Sequence, residues 1–582
     1  MFLRVKKTSS RAYLQIVESY REQGRVRQRV IGTIGRMEEL TARGQVDQLL
    51  RSLAKYSERA ILLLAGANDP EAEVKKVGPG LVFGRLWNRI GIGEHIREML
   101  NGRRYRFEVE RAIFVTVLHR LMNPGSDRQA DRWHQSYRID GADNLQLQHF
   151  YRAMAWLGNP LGDAIPDGNF SPRCVKDIIE EKIFERRRDL FTGLDLVFFD
   201  TTSIYFEGDG GETIGHYGYS KDHRPDLKQM VAGVVLDGEG YPLCCELWPG
   251  NTADVKSLKV VASRLKNRFG IKRMCVVADR GMISRKTIAE LEDDEIHYIL
   301  GVRMRRNADL APQLLDDNGY KEIIGQRKAR KDPSPLKVKE VVINGQRYIL
   351  CVNPEEVRAD AELREQILSS LREHFKQGDN ALVGNKGYRR YLSVVGASHF
   401  VIDEKKVAND ARYDGKWVLT TDTDLPAAEA ALKYKQLLMV ERIFRDMKSV
   451  LDTRPIFHKC DETIRGHVFC SFLALVLRKE LEQALDKAGE RFEWEDIKRD
   501  IKALQEMTIQ DGGKIITVRS RTEGCCGKVF QAVGVALPPV LRTPQATVHA
   551  DNQPKPKCSA KQNRRSGGLV EKRKNPETNC RR

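Results

Sequence analysis

The sequence predicts a multidomain α/β protein built around a mixed five-stranded sheet with flanking helices. The chain has 582 residues, and a single hydrophobic core rarely grows beyond about 250–300 residues. Its composition, 41% hydrophobic and 31% charged, is typical of a globular protein and excludes wholesale disorder. From residue 194 onward, short apolar runs typical of strands alternate with glycine-rich turns and helical segments.

Residues 1–75 are predicted to form a β-hairpin followed by a helix. Residues 2–34 alternate between apolar and polar side chains with a turn near Gly24, and a helical pattern then runs from about residue 38 to 64. On the second strand Arg25, Arg27 and Arg29 share one face, because side chains two residues apart point the same way. These arginines either contact a phosphate backbone together or protect a solvated edge strand, and the sequence leaves both interpretations open.

The rest of the chain divides where its pattern changes. A helical domain is predicted over residues 81–190, where Val109, Ile113 and Val117 recur every four residues as on a buried helical face. The predicted units that follow are the first part of the core at 194–304, a β-rich insertion at 305–415, the second part of the core at 416–484, a C-terminal region at 485–550, and a basic disordered tail at 551–582.

The strands of the core are predicted at residues 194–200, 229–236, 241–248, 274–279 and 297–302. The first three are joined by segments too short for crossover helices, so they should form an antiparallel meander. Each of the last two follows a helical segment, which gives the order β-β-β-α-β-α-β. A further strand at 417–421 precedes a long helix over residues 427–450.

Charge indicates a polyanionic partner. Lys and Arg number 98 against 80 Asp and Glu, a formal net charge of +18. The ends hold much of that excess, with ten basic against four acidic residues in 1–45 and ten against three in 551–582. Each phosphate that such a surface neutralises releases condensed counterions, so nucleic acid is the first candidate. The alternative is a protein that merely carries a basic tail.

Other classes of protein are disfavoured by what the sequence lacks. Its longest apolar stretches are shorter than the roughly 18–20 residues that cross a bilayer. The N-terminus has no apolar run of the kind that a secretory signal contains. The eleven cysteines form no C-x-x-C pair and no disulfide framework. We therefore expect a cytoplasmic protein with reduced thiols.

Two aspartates stand at the ends of apolar strands. Asp200 follows the run at 196–199, and Asp279 follows the run at 275–278. A carboxylate in this position is held on a rigid sheet and projects into the crevice beside it. Either aspartate alone is more typical of a turn or a helix cap, but the pair favours a site.

A third carboxylate lies on the predicted long helix. Tyr434, Glu441 and Lys448 are spaced by seven residues and therefore share one face at 3.6 residues per turn. The alternative for Glu441 is an i,i+4 ion pair with Arg445 on a solvated surface. Lys448 by itself would be an ordinary exposed lysine.

These residues resemble a known family. The strand order, with Asp200 after the first strand, Asp279 after the fourth and Glu441 on the later helix, resembles the ribonuclease-H-like catalytic core of DDE transposases. Residues 434–448 look like the Y-(2)-R-(3)-E-(6)-K signature of the bacterial insertion-sequence transposases in the IS-four group, with Leu437 in place of the arginine. Residues 218–226, 250–254 and 279–282 are similar to one branch of that group.

The resemblance implies a chemistry. Asp200, Asp279 and Glu441 would bind two Mg²⁺ or Mn²⁺ ions, Tyr434 and Lys448 would contact DNA near the cut, and the insertion would contact the transposon end. The enzyme would bind the terminal inverted repeats of its element, cleave the ends and join the 3′ hydroxyls to target DNA. It would act on double-stranded DNA as a homodimer, in the bacterial cytoplasm and on the nucleoid.

Two other functions stay open: a transposase-derived DNA-binding protein that no longer cleaves, and a structure-selective nuclease on the same fold. The presence of all three acidic positions argues against the first. His216, Asp222, His223 and Asp226 match no standard zinc spacing and are interpreted as a polar loop that borders the site. We also expect His458 and His467 to be capping or core histidines rather than ligands.

Overall fold

A computed structural model describes residues 2–542 apart from 9–10, 23–24, 43–44, 47–48, 50–70, 163–171, 188–194, 272–273, 283, 308, 326–332, 376–389, 396–398 and 512–513. Most of the helix predicted at 38–64 and all of the tail predicted at 551–582 lie outside the described residues.

The strands are β1 Phe2–Thr8, β2 Arg11–Glu22, β3 Arg25–Arg36, β4 Glu71–Lys76, β5 Asp195–Tyr205, β6 Gln229–Leu236, β7 Pro242–Pro249, β8 Met274–Ala278, β9 His297–Gly301, β10 Lys321–Ile324, β11 Leu336–Ile343, β12 Gln346–Val352, β13 Leu392–Val395, β14 His399–Ile402, β15 Lys416–Thr421, β16 Gln505–Asp511, β17 Lys514–Arg519 and β18 Leu541–Arg542.

The α-helices are α1 Met37–Ala42, α2 Gly78–Arg89, α3 Ile92–Leu100, α4 Val109–Met122, α5 Asp127–Trp133, α6 Leu147–Gly158, α7 Val175–Arg187, α8 Asp254–Phe269, α9 Arg285–Asp293, α10 Ala311–Leu315, α11 Pro354–Phe375, α12 Glu404–Ala411, α13 Ala427–Lys435, α14 Leu438–Arg445, α15 Asp461–Lys487, α16 Trp494–Lys502 and α17 Cys526–Val533.

The central sheet contains the strands predicted for the core and extends beyond them. Its nine strands run in the order β10-β11-β12-β15-β9-β8-β5-β6-β7. Strands β5, β6 and β7 form the expected antiparallel meander, and β8 lies parallel to both β5 and β9. Strands β6 and β7 are buried along nearly their whole length, which explains why their sequences do not alternate.

The prediction of a five-stranded sheet was therefore wrong in extent. Strand β15 pairs antiparallel with β9, and β12 pairs with β15. Three strands of the region predicted as an insertion, β10, β11 and β12, thus continue the core sheet, while β13 and β14 form a separate pair. This continuation covers the edge of β9, whose backbone groups would otherwise be unpaired.

The N-terminal region is a three-stranded antiparallel sheet in the order β1-β2-β3 rather than a two-stranded hairpin. The predicted turn joins β2 to β3, and β1 adds a further strand along β2. Strand β4 does not belong to this sheet. It pairs with β16 in a four-stranded sheet of order β18-β17-β16-β4, so residues 71–76 fold together with the C-terminal region.

The helical domain and the core share an extensive interior. Helix α15, at 27 residues, is buried along most of its length and packs against α6. Within the described part of the chain, no helix combines the length and the apolar character that would let it cross a membrane. The nine described cysteines are free thiols, and Cys460 is the exposed one among them.

A buried ionic network joins α7 of the helical domain to the core. Arg268 on α8 contacts Glu180 at 2.7 Å, Glu181 at 2.9 Å and Glu246 at 2.9 Å. Lys176 lies 2.7 Å from Asp177, and its ammonium group also donates to the backbone of Cys245 on β7. Burial raises the pKa of Glu180, so its charge depends on these cations.

We predict that Arg268→Met destabilises the fold by about 3–5 kcal/mol, because it leaves buried carboxylates without their main cation. The measurement is urea unfolding followed by circular dichroism. The matched control is Lys182→Ala on the exposed face of α7, since the Lys182–Glu185 pair is exposed and should contribute less than about 1 kcal/mol. An equal loss of stability in both variants would contradict the prediction.

Candidate active site

The register of two parallel strands brings Asp200 and Asp279 together. The last paired residues of β5 and β8 are Phe199 and Ala278. The residue that follows each of them is an aspartate, so both carboxylates lie where the pairing of β5 with β8 ends. Strand β5 does not end at Asp200, as the sequence had suggested, but continues along β6 to Tyr205. Asp200 therefore has no paired residue on the β8 side of β5.

Both aspartates are half-buried and are oriented by hydrogen bonds. The backbone amide of Thr201 donates to Asp200 Oδ1 at 2.7 Å. The hydroxyl of Tyr434 donates to Asp279 Oδ1 at 3.1 Å, and its ring stacks on Trp417 of β15 with centroids 5.5 Å apart. Burial and the nearby Asp279 raise the pKa of Tyr434, so its hydroxyl keeps its proton at any ordinary pH.

Glu441 reaches the same cleft from a broken helix. The predicted long helix is interrupted, because α13 ends at Lys435, α14 begins at Leu438, and the turn Asp446–Val450 has π geometry. Tyr434, Glu441 and Lys448 therefore do not lie on one continuous helical face. Glu441 is exposed, and the described residues include no ion-pair partner for it, so the alternative pair with Arg445 is not formed.

All three carboxylates line one open cleft of about 350 Å³. The sequence analysis missed three charged residues of its wall: Arg280 beside Asp279, Lys435 beside Tyr434, and Glu356 on α11. The sequence gives little indication of Glu356, because this residue lies in the region predicted as an insertion. Leu437, at the position of the expected arginine, is buried at the break between α13 and α14 and also lines the cleft.

The donor set of the cleft fits hard divalent cations. Carboxylate oxygens are the ligands that Mg²⁺ and Mn²⁺ prefer, and both ions retain water as further ligands. Asp200, Asp279 and Glu441 are the residues that would hold them. Among the described residues these three do not form a cluster whose ligand atoms all lie within 4.8 Å of one another.

A tighter cluster elsewhere is a hydrogen-bond network rather than a metal site. Ligand atoms of Asp127, His458 and His467 lie within 4.8 Å of one another. However, His467 Nδ1 is 2.9 Å from the guanidinium of Arg120, and its Nε2 is 3.2 Å from the carbonyl oxygen of Thr453. A cation there would face an arginine, which supports the expectation that these are core histidines.

Lys448 is neither exposed nor on the face of Glu441. Its ammonium group lies 2.8 Å from Asp222 Oδ1, in the loop after β5, and only 12% of its side chain is exposed. Burial lowers the pKa of Lys448, while Asp222 opposes this change. Arg454 pairs with the same carboxylate. The polar loop predicted beside the site is therefore connected to the segment that follows Glu441.

The predicted arginine face belongs to β3, an edge strand of the N-terminal sheet. Arg27 and Arg29 are exposed, while the side chain of Arg25 lies outside the described residues. Arg29 Nε donates to Glu18 on β2 at 2.7 Å. The structure is compatible with both interpretations of this face, a DNA contact and a charge-protected edge.

We predict that Gly301→Ala displaces Tyr434 from Asp279, because an added Cβ at Gly301 would overlap the tyrosine hydroxyl. Loss of a hydrogen bond to a metal-binding carboxylate typically costs at least about tenfold in metal affinity. Gly301→Ala and Tyr434→Phe should each weaken Mn²⁺ binding in calorimetry by about that factor, and the double variant should be no weaker. Gly281→Ala is the control, since its added Cβ meets nothing within 4 Å. If the losses of Mn²⁺ affinity in the two single variants add up in the double variant, Gly301 does not act through Tyr434.

Comparisons with known proteins agree with the geometry. The chain matches the IS1634 family transposase N-terminal domain over residues 3–69 and the transposase DDE domain over residues 192–477. None of the curated proteins matches it. The second range contains Asp200, Asp279 and Glu441.

Two solved structures are similar at a low level. A piggyBac transposase in a synaptic complex with hairpin DNA is 11% identical, with a TM-score of 0.33, over 73% of this chain and 79% of that chain. The Drosophila P element transposase in a strand transfer complex is 14% identical, with a TM-score of 0.24, over 65% of this chain and 95% of that chain. In both of its matched ranges, the N-terminal domain and the DDE domain, the chain is thus similar to transposases.

Proposed function

We propose that the protein binds the terminal inverted repeats of its insertion sequence, cleaves the element ends and joins their 3′ hydroxyls to target DNA. The observation that carries this proposal is the shared cleft of Asp200, Asp279 and Glu441 within the range that matches the DDE domain. The order β7-β6-β5-β8-β9 within the sheet supports a ribonuclease-H-like core. The spacing of Tyr434, Glu441 and Lys448 supports membership of the IS-four group.

Asp200, Asp279 and Glu441 act as the metal ligands of this proposal. Two bound Mg²⁺ or Mn²⁺ ions would activate the attacking oxygen and stabilise the leaving oxygen of an in-line displacement. Asp200, Asp279 and Glu441 would together hold these ions through their carboxylate oxygens. Tyr434 holds the Asp279 carboxylate in a fixed orientation through its hydrogen bond.

Cations around the cleft bind and position the DNA backbone. Arg280 lies in the cleft wall beside Asp279. Lys448 and Arg454 are held near it by Asp222. Because a phosphodiester carries its charge on two exposed oxygens, fixed cations orient it without any covalent step. Action at two element ends requires two copies of the chain, so we infer that it works as a homodimer on DNA.

We predict that Asp200→Asn, Asp279→Asn and Glu441→Gln each abolish cleavage and joining of labelled element ends in Mg²⁺ or Mn²⁺. Each change keeps the shape of the side chain but removes the charge that binds the ions. End binding, measured by gel shift in EDTA, should change less than about threefold.

Glu429→Gln is the matched control, since Glu429 is an exposed glutamate on the adjoining helix α13. Normal cleavage by any of the three variants would remove that residue from the site. Cleavage without joining by the wild-type chain would favour a nuclease, and salt-sensitive binding without turnover would favour a DNA-binding protein that no longer cleaves.

We predict that Arg27→Ala and Arg29→Ala weaken binding to element-end DNA and each reduce the slope of log K against log salt by about 0.9, as expected for one lost phosphate contact. Fluorescence anisotropy over a salt series measures both quantities. Arg36→Ala on the same strand is the control, because its register partner Tyr13 lies on the opposite face of β2 from Glu18 and Tyr20, the partners of Arg29 and Arg27. An unchanged slope in both variants would mean that these arginines only protect the edge of the sheet.

A further inference from the structure

Asp222 is a buried carboxylate that takes no part in the metal chemistry proposed above. Its side chain is 9% exposed, and it accepts from the ammonium group of Lys448 at 2.8 Å and pairs with Arg454. Both cations are also largely covered, with 12% of Lys448 and 27% of Arg454 exposed. Separating such a pair is costly, because each partner would be left as a buried charge without compensation. Asp222 is therefore a firm connection between the loop after β5 and the segment after α14.

The loop that carries Asp222 is attached to the strand of Asp200. The amide of Lys221 donates to Ser203 Oγ at 2.7 Å, and its ammonium group donates to the carbonyl oxygen and to the hydroxyl of Thr201, both at 2.8 Å. Thr201 in turn donates its amide to Asp200 Oδ1 at 2.7 Å. A series of short contacts thus leads from Asp200 to the residue that precedes Asp222.

On the other side of the pair, Lys448 belongs to the helical turn that continues the helix of Glu441. Helix α14 passes directly into the π turn Asp446–Val450, so Glu441 and Lys448 lie on one run of helical backbone. Before α14, the break after Lys435 separates it from α13. Helix α13 therefore does not fix the direction of α14, and the contacts of α14 and of the π turn must do so.

Apolar packing holds α14 against the sheet. Val440 and Phe444 of the helix and Met447 of the turn are buried, and α14 contacts β5 and β6. Burial of apolar surface is non-directional, so it favours contact without selecting one position of the helix along the sheet. A hydrogen-bonded ion pair requires a defined distance and direction, so such pairs decide where the helix lies.

Two ion pairs hold the π turn. Asp446 lies 3.0 Å from Arg478 on α15, and Lys448 lies 2.8 Å from Asp222. The first pair leads to α15, whereas the second leads through the loop to β5. The backbone of Ile456 also pairs with the end of β5, but this residue lies beyond the turn. Of these contacts, the pair of Lys448 with Asp222 is the one that joins the turn itself to the strand of Asp200.

We propose that Asp222 is a positioning residue that, through Lys448, holds Glu441 where it can bind metal ions together with Asp200. Metal ligands from different elements must be held closely in place, and contacts outside the site do this. The inference rests on the proposed function, because it takes the carboxylates of the cleft as metal ligands. It adds a distinct property: the metal affinity of the DNA-free protein depends on an ion pair that contains none of these ligands.

The test measures Mn²⁺ binding to the full chain by calorimetry in the absence of DNA, so that no phosphate contact of Lys448 or Arg454 contributes. Asp222→Asn should weaken binding about tenfold, the loss expected when a residue that orients a metal ligand is removed. Asp226→Asn is the matched control and should leave the affinity unchanged. Asp226 lies in the same loop and loses the same charge, but it pairs with Arg224 and not with the turn.

A double-variant cycle separates positioning from a general loss of structure. In the Glu441→Gln background, Asp222→Asn should cause no further loss of Mn²⁺ affinity, because its effect acts through Glu441. A mere loss of stability would lower the affinity in both backgrounds. Lys448→Met should reproduce the loss seen in Asp222→Asn, and it leaves Asp222 paired with Arg454. It therefore provides the test if Asp222→Asn fails to fold.

Two results would overturn the inference. One is wild-type Mn²⁺ affinity in both Asp222→Asn and Lys448→Met. The other is a loss in Asp222→Asn that is as large in the Glu441→Gln background as in the wild type, which would show that Asp222 supports the fold as a whole. Cleavage of element ends by the wild-type chain is measured in parallel. Absence of both cleavage and Mn²⁺ binding would refute the proposed function together with this inference, whereas cleavage with an affinity that does not depend on Asp222 would refute only the positioning.

Discussion

The parallel pairing of β5 with β8 is the constraint on which the rest of the site depends. It ends at Phe199 and Ala278, so the next residue of each strand, Asp200 or Asp279, emerges at the same edge of the sheet. The rigid backbone of a central sheet holds both carboxylates at this edge, where oxygen atoms from two strands are available to a hard divalent cation.

The extension of the sheet supports this pair from one side. Strand β15 provides Trp417, on which Tyr434 stacks, and β9 ends at Gly301, whose lack of a side chain leaves room for the tyrosine hydroxyl. The break between α13 and α14 then allows Tyr434 to reach Asp279 while Glu441 lines the cleft from the next helix. The further strand predicted at 417–421 is in this way part of the support for Asp279, as the neighbour of β9 in the sheet.

Ion pairs between residues distant in the chain hold two cations against the loop after β5. Asp222 binds Lys448 and Arg454, although more than two hundred residues separate them in the sequence. A lysine held by a carboxylate loses less conformational entropy when it meets a phosphate than a free one does.

The sequence by itself determined the strand order of the core, the two aspartates after apolar runs, and the resemblance to DDE transposases, because these depend on local pattern and on spacing within short segments. Only the tertiary structure decided the nine-stranded extent of the sheet, the pairing of β4 with β16, and the partners of Tyr434 and Lys448. Each of these depends on contacts between residues far apart in the chain. Hydrophobic periodicity also predicted one continuous helix over 427–450, whereas the break after Lys435 and the π turn at Asp446–Val450 interrupt it. A helical pattern reports which side chains are apolar, and it carries no information about where packing against a sheet makes the backbone change direction.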